Sequence, residues 1–161
     1  MLIDRFFVRW VRSTDDVLDL GCGFGEFINQ VNCARKFAMD LNPDTPRHLS
    51  PEVNCLSRDC SQRWDLPDDS LDVVFTSNFL EHLPDKSAVG KTLDETLRCL
   101  KPGGLLIALG PNIKYLDGAY WDFWDHHVAL SDASLGEALR NRGFAIQHAV
   151  PRFLPYRMSH G

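Results

Sequence analysis

Val17-Leu18-Asp19-Leu20-Gly21-Cys22-Gly23-Phe24-Gly25-Glu26 decides how the rest of the chain is read. A short run with the character of a buried strand passes into glycines at three alternate positions, and a helix is expected to follow. Glycines there permit a tight turn with unusual dihedrals and let a ligand touch the backbone with no Cβ in the way. Plain turns use the same residues, so the loop alone is a weak signal. A dinucleotide-binding loop wants G-x-G-x-x-G, and its third glycine would fall where this chain has Glu26. A carboxylate there would also compete with a pyrophosphate for the positive end of the helix. The pattern is instead Asp19-x-Gly21-x-Gly23-x-Gly25, and an acidic residue at the strand end suits a ligand that is cationic at that point.

Outward from this loop, apolar runs of strand length alternate with helix-like segments. That pattern predicts an open, mostly parallel sheet with helices on both faces. Residues 17–20 read as the first strand, 36–40 as the second, 53–56 as a weaker third and 71–76 as a strong fourth. Residues 105–109 read as the fifth strand and 144–150 as a sixth. Val89, Leu93, Leu97 and Leu100 recur at helical spacing, with Lys91, Asp94, Glu95 and Arg98 off that stripe, so an amphipathic helix packs on the sheet there. Lys101-Pro102-Gly103-Gly104 is expected to end it as a loop. Ser134 to Glu137 matches a capping box and Ser131 is an equally good cap for a last helix closed by Gly143. Leu2 to Val11 reads as one N-terminal helix. No repeat or linker interrupts the chain, which reads as a single domain over residues 1–161.

The 161 residues are 44% hydrophobic and 24% charged, with a net charge of −5, which suits one globular core. The positive residues are scattered, which argues against general nucleic-acid binding. The five cysteines lack any C-x-x-C pair and read as free thiols, fitting a reducing cytoplasm. No leader arrangement opens the chain, and its longest apolar run is too short to span a bilayer.

With these motifs in this order, the sequence resembles the class I S-adenosylmethionine-dependent methyltransferase family, in particular its bacterial small-molecule branch. The resemblance runs from about residue 14 to the last strand. It implies a Rossmann-like, doubly wound sheet and S-adenosylmethionine as cofactor. The acidic strand end then suits the methionyl ammonium, which places Asp19, with Gly21, Cys22 and Gly23 of the loop, at the cofactor. Phe37-Ala38-Met39-Asp40-Leu41-Asn42-Pro43 carries the acidic residue that accepts hydrogen bonds from the ribose hydroxyls, so Asp40 is carried over together with Leu41. Ser57-Arg58-Asp59-Cys60 places Asp59 on the adenine amino group and the Cys60 amide near the ring nitrogen. In Leu71 to Leu83, Asn78 and His82 fall beside the cofactor, while Glu81 reads as well as a surface residue. The Lys-Pro-Gly-Gly loop matches a family hallmark that is structural.

The acceptor side is assigned to Pro111 to His127, a long segment rich in aromatic, Asp and His residues. Its aromatics can close over an acceptor, and His126 or His127 can take a proton from a hydroxyl or amine. Asp122, Asp125, His126 and His127 can also be read as ligands. Adjacent histidines rarely point at one ion, however, and no partner set is visible, so no metal is assigned. Three readings stand: methyl transfer to an O, N or C nucleophile of a small molecule, a non-catalytic cofactor-binding module acting through a partner, and a disfavoured nicotinamide oxidoreductase. The family usually has a seventh, antiparallel strand between the fifth and sixth. The two prolines after residue 150 leave no room for it, so the chain reads as shortened and as a homodimer or an aggregation-prone monomer.

Overall fold

The computed structural model describes residues 7–116 and 118–153. Five parallel strands form one sheet: β1 (Asp16–Leu20), β2 (Arg35–Met39), β3 (Val53–Leu56), β4 (Leu71–Ser77) and β5 (Leu100–Leu109). Their order is β3-β2-β1-β4-β5, so the chain winds outward in one direction from β1 and then returns to continue on its other side. That reversal between β1 and β4 opens a crevice at the carboxyl ends of the strands, where ligands bind in sheets of this kind.

Alternation along the strands divides the core. Leu18, Leu20 and Val74 face helix α1 (Lys86–Cys99), with Trp64, Leu93 and Val128 in the same cluster. Val17, Val73 and Phe75 face the other way, onto Phe7, Val11, Phe27, Ile28 and Val31. Phe27 stacks on Phe75 with ring centroids 3.8 Å apart. β1 is buried along its whole length, with Val17, Leu18 and Leu20 packing in the core and Asp16 and Asp19 buried alongside them. Helix α1 starts at Asp85, whose side chain accepts from the Ala88 N–H. Helix α2 (Asp132–Arg140) packs beside it, and Arg142 ties the two by donating to the Gly90 carbonyl and pairing with Asp94. Ser131 is the cap of α2, with Ser134 completing its capping box, so the structure selects the first of the two caps the sequence offers.

Four expectations are corrected. The segment after the glycine loop, residues 21–30, is a run of turns and not a regular helix, held by isolated bonds such as Asn29 N–H to the Gly25 carbonyl. Three glycines with positive φ explain it, since they lower the cost of left-handed turns and raise that of a continuous helix. Lys101-Pro102-Gly103-Gly104 is not a loop before the fifth strand but an irregular start within β5: Leu71 pairs with Leu100 and Val73 with Leu105, so these residues bulge out of register. Residues 144–150 form no strand. Phe144 and Ile146 are half-buried and their neighbours exposed, as a strand would have them, but they pair with no strand among the described residues. Among the described residues the sheet thus has five strands, where the sequence predicts six. At the N-terminus, Phe7–Trp10 is a short 3-10 helix, and the remainder of that expected helix lies outside the described residues.

The bulge in β5 has a purpose at the opposite end of the sheet from the crevice. It sets the Lys101 ammonium 3.1 Å from Asp16 and 2.7 Å from Asp72, while Arg35 forks onto both oxygens of Asp16. The Arg35 hydrogen bond and then Lys101 outweigh desolvation and hold the Asp16 carboxyl down at about 2. A depressed acid stabilises the fold above its unfolded value and loses that contribution as pH falls toward its folded one. Stability should therefore decline between about pH 4 and pH 2 with a component that Asp16→Asn removes, read from denaturant midpoints across that range; an identical acid slope in the variant would refute the assignment.

Candidate functional site

The carboxyl ends of β1, β2, β3 and β4 lie side by side, and each delivers one of the polar residues singled out in the sequence. Gly21 follows β1 with φ +70°, and Gly23 and Gly25 also take positive φ, so the loop turns back on itself instead of extending. The Gly21 and Cys22 N–H groups both donate to the Met39 carbonyl at the end of β2, at 2.8 and 3.2 Å. Those two amides serve the fold. Asp40, immediately after β2, accepts from the Gly23 N–H at 2.8 Å and from the Asn42 N–H at 2.9 Å. Its half-buried carboxylate is thus fixed over the glycine loop by two backbone donors. Leu41 beside it is exposed, as is Phe24 on the loop.

Asp19 sits under the loop, 3% exposed on the face of β1 that looks toward Ile28. Burial pushes its carboxyl up to about 7, with the Ile28 N–H working against the shift and Glu26 and Asp40 adding to it. Asp59, after β3, is exposed, accepts from the Ser61 N–H and hydroxyl at 2.8 Å each, and is held below the usual carboxylate range by those bonds. The Cys60 thiol turns inward, where the Thr92 hydroxyl meets it at 3.3 Å, leaving only its backbone toward the crevice side. Asn78 ends β4 in the left-handed region at φ +48°, with its N–H on the Leu109 carbonyl. Left-handed backbone at a non-glycine residue is stored strain of the kind that concentrates at ligand-binding positions.

The second half of the site is built from the exits of β4 and β5. Glu81 lies in a 3-10 turn, Leu80–His82, and is 3% exposed; burial pushes its carboxyl up. Its backbone carbonyl accepts from the His127 and Val128 N–H groups at 2.8 and 3.0 Å, which pins the segment after β5 against the exit of β4. Tyr120 is buried and its hydroxyl donates to the Val128 carbonyl, closing the same segment on itself. His126 stacks on Phe123 and leans on Tyr120, while its Nδ1 lies 2.9 Å from the Tyr120 carbonyl. His82 meets His126 edge to face at 5.1 Å, its Nδ1 3.0 Å from the Asp125 carbonyl. His127 is exposed and its ring stands outside this group. Trp124 is 97% exposed beside it.

The sequence profile of the methyltransferase-domain family matches residues 2–149. The chain belongs to that family. Among curated relatives, it is 31% identical over 146 residues to an S-adenosylmethionine-dependent methyltransferase of Mycolicibacterium smegmatis, covering 86% of this chain and 55% of the relative. It is 29% identical over 126 residues to the 2-methyl-6-phytyl-1,4-hydroquinone methyltransferase of Synechocystis, covering 70% of this chain and 37% of that one. The chain thus spans about half or less of the length of the curated relatives it matches. A SAM-dependent methyltransferase from Archaeoglobus fulgidus superimposes with a TM-score of 0.76 at 25% identity, over 88% of this chain and 66% of that one. The [4+2]-cyclase SpnF superimposes with a TM-score of 0.72 at 24% identity, over 91% of this chain and 57% of that one. At that identity the likeness speaks for the fold alone.

S-adenosylmethionine is the cofactor of this methyltransferase family, and the residues present fit it. A Cβ built on Gly23 meets nothing within 4 Å, so the loop opens onto free space there. At the carboxyl ends of β1 to β4 the chain offers acceptors: Asp19, Asp40, Asp59 and the Asn78 amide. The buried acidic Asp19 matches a cationic amino-acid end, and the fixed carboxylate of Asp40 matches a vicinal diol. Sequence reasoning left Glu81 undecided and set His82 apart from His126. The signal it lacked was the pair of backbone hydrogen bonds from the 126–128 segment to the Glu81 carbonyl, which joins stretches that are distant in sequence.

Gly21 tests the construction of the loop. A Cβ there would fall 2.0 Å from Phe79 Cγ and would face the positive φ as well. Gly21→Ala should therefore destabilise the chain by about 2 kcal/mol or more, from overpacking and left-handed strain together. A denaturant midpoint unchanged from wild type would show that Phe79 moves aside freely and that the packing described is not required.

Proposed function

We propose that this domain transfers a methyl group from S-adenosylmethionine to an oxygen, nitrogen or carbon nucleophile of a small molecule. The observation that carries the proposal is the convergence of Asp19, Asp40, Asp59 and Asn78 at the ends of four adjacent parallel strands around the glycine loop. The cofactor supplies a methyl group on a cationic sulfur. The chain's own residues do the holding: Asp19 and Asn78 toward the methionine end, Asp40 with Leu41 at the ribose, Asp59 and the Cys60 backbone at the adenine. Gly21, Cys22 and Gly23 shape the floor. The domain's contribution to rate is then mainly alignment of nucleophile, methyl and sulfur, with water kept out by the aromatic segment after β5. A nucleophile that arrives protonated finds imidazole nearby in His126, with His127 further out. The free state of all five cysteines supports a reducing cytoplasmic setting. No described helix is long and apolar enough to cross a membrane.

A non-catalytic cofactor-binding pocket acting through a partner is the second reading. Calorimetric titration of the chain with S-adenosylmethionine and its demethylated product, with NAD as control, addresses both. Micromolar binding of the sulfur compounds is expected, weakened roughly tenfold or more by Asp40→Ala through loss of charge-assisted hydrogen bonds. Because the Asp19 carboxyl is raised to about 7, a cation arriving beside it drives out its proton below that pH. Affinity should consequently rise from about pH 5.5 to pH 7 and then level, and Asp19→Asn should flatten the profile. NAD binding in preference to the sulfur compounds would overturn the proposal.

The outer edge of β5 has no neighbouring strand among the described residues, and its side chains from Leu105 to Leu109 are all half-exposed. Unpaired edges recruit a second chain. The 161-residue chain is therefore expected to self-associate, as a dimer or larger. Light scattering that gives a clean monomer with one fully cooperative melt would remove that expectation.

A further inference from the structure

Glu81, His82 and His126 bring one carboxylate oxygen and two ring nitrogens to within 4.8 Å of one another. The group is built from two separate stretches of chain, and three features of it exceed what packing requires. The first is the carboxylate. Glu81 is almost fully buried, and among the described residues no Lys or Arg pairs with it. A buried carboxylate with no fixed cation is costly unless something cationic joins it.

The second feature is the orientation of the imidazoles. His82 Nδ1 faces the Asp125 carbonyl at 3.0 Å, with an Asp125 carboxylate oxygen at 3.2 Å, and His126 Nδ1 faces the Tyr120 carbonyl at 2.9 Å. Carbonyls only accept, so in a neutral ring the proton sits on Nδ1 and the lone pair is left on Nε2. Backbone carbonyls and carboxylates on the far ring nitrogen are the usual way in which ligating histidines are oriented. Both rings here have that support before any ion arrives.

The third feature is rigidity. The Glu81 carbonyl binds the His127 and Val128 N–H groups, and Phe123 and Tyr120 clamp the His126 ring, so the two stretches cannot drift apart independently. Ligand atoms around a tetrahedral Zn²⁺ stand about 3.4 Å from each other, given bonds of about 2.0–2.1 Å. The three groups here lie within 4.8 Å of one another, wider than that, so a bound ion has to draw them closer.

We propose that Glu81, His82 and His126 form a site for one divalent transition-metal cation of zinc-like preference, next to the acceptor side of the crevice. Two nitrogens and one carboxylate oxygen are the donor set of catalytic sites that keep a coordination position open, and they disfavour Mg²⁺ and Ca²⁺, which take all-oxygen shells. A coordination position left open by three protein ligands suits an oxygen-bearing acceptor. This deepens the proposed methyl transfer and rests on that reading for its purpose, though not for its existence. A cation there occupies the Nε2 lone pair of His126, which then orients an acceptor through the metal instead of serving as a free base.

The test is metal binding itself, on the whole 161-residue chain, stripped with a chelator and held without S-adenosylmethionine. Zn²⁺ is titrated in competition with a chromophoric chelator, and Co²⁺ is added separately to read the visible spectrum of the site. One equivalent of Zn²⁺ is expected, with a Co²⁺ spectrum free of thiolate charge-transfer bands. Glu81→Gln and His126→Ala should each weaken Zn²⁺ binding roughly tenfold or more, and His127→Ala should leave it unchanged. His82→Asn serves in place of either variant that fails to give a cooperative melt. Three results would overturn the site: a folded wild-type chain that takes up no stoichiometric Zn²⁺, binding that survives both substitutions, or thiolate bands that place the ion on cysteine. Cofactor titration in the presence of the chelator is separate, so loss of the metal site leaves the pocket standing and the converse also holds.

Discussion

β1 carries two aspartates within five buried residues, and the protein handles the two in opposite ways. At its start, Asp16 is neutralised by Arg35 from β2 and by Lys101 from β5, and its carboxyl is held down at about 2. Near its end, Asp19 has no such partner, and burial, with Glu26 and Asp40 adding to it, raises it to about 7. A charge inside a sheet must be paired or must give up its proton. The first solution locks three strands together at one end. The second leaves a carboxyl under the glycine loop whose ionisation waits for something positive. The central strand thus fixes both the frame and the polarity of the crevice.

That division explains why the glycine loop is a chain of turns. Gly21 and Cys22 spend their N–H groups on the Met39 carbonyl, and Gly23 spends its own on Asp40. A helix beginning at once would need those donors pointing along its axis. With the amides committed to the end of β2, the loop is anchored to the neighbouring strand, and Asp40 is oriented by the same bonds. Phe79 then packs where a Gly21 side chain would be, so the exit of β4 is registered against the exit of β1. Three strand ends are thereby fixed relative to one another without any ligand.

The parts of this architecture that were legible in the sequence are those governed by local pattern. Buried parallel strands are nearly continuous apolar runs, and the first four were placed within a residue or so at each end. β5 was read short because Pro102 and the two glycines look like a loop, whereas the bulge keeps Leu100 paired with Leu71 across the interruption. Residues 144–150 have a strand's alternation yet remain unpaired, since pairing depends on a neighbour that the segment itself does not encode. Asp19, Asp40 and Asp59 were readable from motif spacing, because each lies at or just beyond the carboxyl end of a strand. The Glu81, His82 and His126 group was not, because it exists only through backbone bonds between two exits.

The two halves of the site therefore have different origins. The cofactor half follows from strand order: any chain with this sheet and these strand ends presents the same row of acceptors, which is why the family is recognisable over most of the length. The half beyond β4 and β5 depends on one carbonyl, that of Glu81, receiving two amides from a segment that strand order does not specify. A cyclase can share the fold because the sheet constrains only the first half. Around Glu81 a buried carboxylate and two oriented imidazoles converge beside exposed aromatics, in the half of the site that the glycine loop does not specify.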